Sequence, residues 1–162
     1  MKKQKLSLAA ALVLLLVAQI TPAQQAATQA KVPAKLPELL EASGYNYTKA
    51  KENVWTIPFK GKSLAQFSVF VAYSSGLVVI GAVPAEKRQL KVTPDLLHRL
   101  LKFNDDLDRV KVAIDSDGDI SVRVDSSLRV LDAEEFKAVV EQVAAAADEV
   151  YAGIRPFLIA AQ

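Results

Sequence analysis

Alternation governs residues 46–83 of this 162-residue chain. In residues 54–59, Trp55, Ile57 and Phe59 take every second place. In residues 66–73, Phe67, Val69, Val71 and Tyr73 do the same, with Gln66, Ser68, Phe70 and Ala72 between them. A period of two sends successive side chains to opposite sides of an extended backbone, so each run reads as a strand with one buried face. Residues 46–50 make a shorter candidate before them. Residues 77–83 make a longer one after, apolar on both faces and so expected in a central or covered position. Glu52-Asn53, Lys60-Gly61-Lys62-Ser63 and Ser74-Ser75-Gly76 supply the turns. Loops this short join neighbours, which predicts an antiparallel meander of four strands.

Helical spacing takes over on either side. Leu36, Leu39 and Leu40 share one face of a short helix, with Gly44 as its stop. Thr93 and Pro94 fit the N-cap and first-turn positions of a second helix. Its Leu96, Leu97, Leu100, Leu101 and Leu107 recur at three and four residues, with Asn104 on the apolar edge. Val110, Val112 and Ile114, then Ile120, Val122 and Val124, alternate around Asp115-Ser116-Asp117-Gly118-Asp119 and predict a β-hairpin. Asp132 opens a last helix to about residue 156, with a seam of Phe136, Val140, Val143, Ala147, Val150 and Ile154. The expected fold is α+β, an antiparallel sheet of meander plus hairpin flanked by helices, in the order α-β-β-β-β-α-β-β-α.

The N-terminus obeys different rules. Lys2, Lys3 and Lys5 precede an uncharged, Leu-, Ala- and Val-rich stretch from residue 6 to 20, and Thr21-Pro22-Ala23 follows. This is the pattern of a cleavable export signal over residues 1–23. Fifteen helical residues reach about 22 Å, short of the ~30 Å a permanent span requires. Residues 24–35 are rich in Ala, Gln, Lys and Pro without an apolar face, and read as a flexible tether to a single domain over residues 36–158. The formal charge of +2 belongs to the leader, which holds three of the 20 basic and none of the 18 acidic residues. Beyond it 17 basic residues face 18 acidic ones, which argues against nucleic-acid binding. The chain contains no Cys, so disulfides, thiol catalysis and Cys-ligated metals are excluded.

Four segments carry a family resemblance: LLEASGY at the end of the first helix, LLKFNDDL closing the second, VAIDSDGDISVRVD in the hairpin and AAAADEVY in the last helix. Together they make residues 36–151 similar to the YbjN family and, more distantly, to the type III secretion chaperone-like fold. That resemblance implies an antiparallel sheet flanked by helices, often paired as dimers, which binds protein segments or other partners and has no established chemistry. One departure is the leader, since secretion chaperones proper act in the cytoplasm.

No constellation in the chain names a reaction. Asp115, Asp117 and Asp119 alternate as calcium ligands can, but an EF-hand loop needs Gly sixth and Glu twelfth whereas this run has Gly118 fourth and Ser126 twelfth, and Asp117 and Gly118 read as structural turn residues. His98 is the single histidine and reads as a partly exposed helix residue. Ser74-Ser75 and Ser126-Ser127 read as turns. Asn104 reads as a structural amide that satisfies helix carbonyls or holds the following turn. The informative feature is a surplus of apolar residues. Leu36, Leu39, Leu40, Val54, Phe70, Val78 and Ile80 are assigned to the second sheet face or its cover, as candidate partner-binding residues. The expectation is an exported, periplasmic or secreted, non-enzymatic and chaperone-like binding domain, homodimeric, without cofactor, holding a protein or peptide partner. The alternative is an envelope carrier or sensor with a small hydrophobic ligand between sheet and long helix. A third reading is a hydrolase whose site is unrecognised.

Overall fold

The computed structural model describes residues 32–159. The expected leader, and the tether up to residue 31, lie outside the described residues. Lys35, assigned to the tether by composition, is already the first residue of α1 (Lys35–Ala42). The helix begins early because the Leu36 N–H donates to the Pro33 carbonyl at 3.2 Å, while Val32 packs against the core.

The four-strand run follows as β1 (Thr48–Lys51), β2 (Val54–Phe59), β3 (Phe67–Ser74) and β4 (Leu77–Ala85). Then come α2 (Pro94–Asp106), β5 (Lys111–Ile114), β6 (Ile120–Ser127) and α3 (Ala133–Ile154). All strand pairs are antiparallel, in the spatial order β1-β2-β3-β4-β6-β5. The chain leaves β4, forms α2 and returns through β5, so that β6 pairs with β4 and β5 becomes an edge. Ser75 and Gly76 adopt positive φ of 51° and 85°, the left-handed pair that a tight β3–β4 hairpin requires. Thr93 caps α2 by accepting from the Leu96 N–H at 3.2 Å, and Asp132 caps α3 by accepting from Glu135 at 2.8 Å.

One sheet face holds the core. Trp55, Ile57, Val69, Val71, Ile80 and Val122 are all buried there. Over them lies the 22-residue α3, packed on β4 and β6, with α1 against α3 and α2 against β5 and α3. The structure corrects five of the surface assignments. Leu36, Leu39 and Leu40 are buried because α1 packs onto α3 and does not cross to the other side of the sheet. Val78 and Ile80 are fully buried because they pair with Tyr73 and Val71, so they point to the helices with those residues. The outward side of β4 is instead Leu77, Val79, Gly81 and Val83. A strand apolar on both faces does not reveal by period alone which half meets the helices, and that ambiguity produced the inversion. Ser126 and Ser127 are also strand rather than turn: β6 runs on to pair them with Val78 and Leu77 of the long β4.

Candidate functional site

Three features could engage something outside the fold. The first is the outward sheet face. Val54, Phe70, Ala72 and Val79 are half-buried there, and Leu77 and Val83 are 43% and 39% exposed. Of the expected partner-binding residues, Val54 and Phe70 do lie on this face. Phe70 lies over Gly81, where an added Cβ would stand 2.5 Å from the ring's Cζ, so the ring fills a notch that glycine leaves open. Toward β5 the face turns charged: Lys111 Nζ meets Asp125 Oδ2 at 2.8 Å, and Arg123 Nε lies 3.5 Å from Asp125 Oδ1.

The second feature is the α2–β5 surface. Only Leu96, Leu100 and Phe103 of α2 are buried. Leu97 and Leu101 are 44% and 70% exposed, and with Ile114 they border a shallow groove of about 280 Å³. The apolar stripe of α2 is thus wider than the surface it covers. Asn104 sits in this groove and joins the two elements. Its Nδ2 donates to the Val112 carbonyl at 2.9 Å and to the Leu100 carbonyl at 3.2 Å, and its Oδ1 accepts from the Val112 N–H at 2.9 Å. The expected structural duty extends further than helix carbonyls: the side chain pairs with a strand as a neighbouring backbone would.

The third feature is the β2–β3 end of the molecule, where Asp148 of α3 meets the hairpin loop. Its Oδ1 accepts from the N–H groups of Leu64 at 2.7 Å and Ser63 at 2.8 Å, and its Oδ2 from Lys62 at 3.1 Å. Gly61 permits this approach, since a Cβ there would come 2.1 Å from Oδ1. The Leu64 N–H foremost, with those of Ser63 and Lys62, holds the carboxyl below the usual carboxylate range, against a partial opposing effect of burial. Beside this latch runs an aromatic row, Tyr45 to Phe59 at 5.6 Å and Phe59 to Phe67 at 6.0 Å between ring centres. The Tyr45 hydroxyl donates to Glu141 Oε1 at 3.0 Å, and its pKa is pushed up to about 12, first by burial and then by that carboxylate. Two open clefts of about 630 and 480 Å³ share the wall formed by Phe59, Lys60 and Phe67.

The remaining candidates are structural. Asp115 organises the hairpin turn, its Oδ1 accepting from the N–H groups of Asp117 and Asp119 at 3.0 Å each. Gly118 takes the positive φ of 88° that the turn needs, and Asp119 accepts from the Lys87 N–H at 2.7 Å. Of the three carboxylates that suggested a cation, those of Asp115 and Asp119 are thus engaged with backbone donors. His98 is exposed on α2, and Ser75 lies in the β3–β4 turn. Sequence reasoning missed Leu97, Leu101 and Ile114 as surface residues, Val79 and Val83 as the outward side of β4, and Asp148 as a latch. The four-residue spacing of Leu97 and Leu101 beside the Leu96–Leu100 pair was the available signal for the first group. Nothing local marked Asp148, whose partners lie 84 to 86 positions earlier.

Comparison with solved structures finds the same architecture in several chains, including the following three. Against YbjN from E. coli the TM-score is 0.56 at 14% identity, covering 78% of this chain and 96% of that one. A chain of the heterodimeric ExoU-SpcU complex from the type III secretion system of Pseudomonas aeruginosa gives 0.54 at 13%, covering 74% and 97%. A chain of the ExsC-ExsE complex gives 0.51 at 14%, covering 78% and 93%. At such identities these likenesses establish a shared fold. No curated protein matches the sequence. The model of the YbjN family, described as "Putative bacterial sensory transduction regulator", matches residues 33–156, nearly the entire described domain. On that match, the chain belongs to the YbjN family.

Proposed function

We propose that this chain is an exported, non-enzymatic binding protein that pairs with a second copy along α2 and β5 and holds a segment of a protein partner against its outward sheet face. The observation that carries the proposal is the asymmetry of the sheet. The side toward α3 is filled, whereas Val54, Phe70, Leu77, Val79 and Val83 line the opposite side with apolar groups that no helix among the described residues covers. Contiguous apolar surface of this kind, rimmed by charge, is where soluble proteins meet partners. Proteins of the same fold occur in complexes with other proteins, ExoU with SpcU and ExsC with ExsE, which supports a protein as the occupant. Leu97, Leu101 and Ile114 supply a separate apolar strip for self-association, so the two contacts do not compete for one surface. Among the described residues no helix is long and apolar enough to cross a membrane. Export rests on the lysine-led apolar leader of residues 1–23.

A photo-crosslinking residue at position 79, in cells carrying the full gene, tests the assignment. A discrete adduct with a different polypeptide, absent when the crosslinker replaces exposed Lys137 on α3, is the expected result. An adduct only between two copies of this chain would reassign the outward face to self-association and overturn the partner reading. Sizing with light scattering checks the second contact: Leu101→Lys is expected to convert a dimer to a monomer without lowering Tm. An uncleaved N-terminus in the cytosolic fraction would sink the export component.

A further inference from the structure

We infer that Asp148 is a positioning residue for the outward sheet face: from the helix side of the molecule it holds the β2–β3 loop that walls a cleft at one end of that face. The inference rests on the outward face being the partner surface, and it names what fixes the shape of that surface.

At the β2–β3 end the outward face runs into a cleft of about 380 Å³. Ser68 and Phe70 belong to its floor, Leu64 and Gln66 to one wall, and Val83 and Gln89 to the other. The strand ladder does not fix these walls. The pairing of β2 with β3 stops at Phe59 and Phe67, so Leu64 and Gln66 lie past it, and Gln89 lies past the end of β4. Each wall is tied instead by a carboxylate from a distant element. On the Gln89 side, Asp119 of the β5–β6 hairpin accepts from the Lys87 N–H at 2.7 Å. The Glu86 N–H closes that turn by donating to Gln89 Oε1 at 2.8 Å.

On the Leu64 side the tie is Asp148, which gathers the N–H groups of Lys62, Ser63 and Leu64. Successive N–H groups that point one way form a concave nest, whose like partial charges are reconciled by the anion seated in it. Removing the carboxylate therefore releases the loop rather than one bond. Leu64 is the joint between the two sides. Its N–H lies on Asp148, its carbonyl accepts from the Gly61 N–H at 3.0 Å, and the residue itself lines the outward cleft. The loop thus passes round the end of the sheet, and a contact made by α3 on the covered face sets the width of a cleft on the uncovered one.

The experiment compares Asp148→Ala and the milder Asp148→Asn with wild type, all expressed from the full gene. Amide chemical-shift mapping by NMR reads the cleft directly. Photo-crosslinking in cells reads the partner, from position 83 beside the cleft and from position 77 at the other end of β4, about 20 Å away. In both variants the amide shifts are expected to extend past residues 61–64 to Gln66, Ser68 and Gln89, with Leu77 and Val112 unmoved. The partner adduct from position 83 should fall roughly fivefold relative to that from position 77. A residue that served stability alone would leave that ratio as it is. Shifts that stop at residues 61–64 and 148–149, an unaltered ratio, or shifts that spread to Val112 in the Asp148→Asn protein would each overturn the inference. If wild type gives no adduct from either position, the partner reading fails by itself, and the shifts at Gln66, Ser68 and Gln89 decide whether Asp148 shapes the cleft.

Discussion

The two faces of the sheet use similar amino acids to opposite ends. On the helical side Val78 and Ile80 are fully buried, while one residue along on the same strand Leu77 and Val79 look outward. The covered side is also pinned at both margins, by Asn104 where α2 meets β5 and by Asp148 where α3 meets the β2–β3 loop. Among the described residues the outward side has no such layer or pins. Burial of β4 is thus a property of what packs on each face and cannot be inferred from its composition.

The sharpest attempt to break this contrast is a pair of truncations on β4. Ile80→Ala should cost about 2–5 kcal/mol by removing buried methylenes and leaving a cavity, and Val79→Ala should cost less than about 1 kcal/mol. Urea unfolding of the two variants measures the difference, and equal losses would erase the distinction between the faces. Asn104→Leu should come next, lowering stability by on the order of 1–3 kcal/mol, because it strands both backbone groups of Val112. Hydrogen exchange at Val112 should rise with it. An unchanged Tm would show that the α2 margin is not held by this amide.

The smallest effect belongs to the other margin and depends on pH. Asp148→Asn should lose about 1 kcal/mol near neutrality, a low figure because the site is partly solvated. The folded carboxyl is depressed below its ordinary 3.8, so its stabilisation is present above that value and disappears as pH falls through the folded pKa. Thermal melts of wild type and variant should therefore differ most above about pH 5 and converge in strong acid. A gap that persists at low pH would mean that the latch works through shape and not through charge.

How much of this was legible depended on whether a signal was local. Trp55 with Ile57, and Val69 with Val71, announced their shared face because the intervening residues are polar or differently sized, and the pairing of β2 with β3 keeps that alternation. The second helix announced its cap and its apolar edge, and Asn104 was flagged as structural, but its partner Val112 belongs to the next element. β4 offered no polar half, so register with β3 and β6 had to decide its orientation. The leucines of α1 were read as surface because a short apolar helix outside a sheet has several places to dock, and only its packing on α3 selects one. Asp148 lay in the quoted AAAADEVY segment, but that it reaches a loop more than eighty residues away was not written in either segment.

Asn104 has a consequence for how copies of this molecule meet one another. By occupying both the donor and the acceptor of Val112, the amide acts as a cork at one border of the ribbon, so an incoming chain cannot zip on at that residue. Among the described residues no side chain does the same for the opposite border, β1, but Lys49 and Lys51 alternate along it and repel a like copy. The association proposed along α2 and β5 then falls to side chains such as Leu97 and Leu101, which can come apart again, and open-ended stacking of sheets into fibres is discouraged from either side.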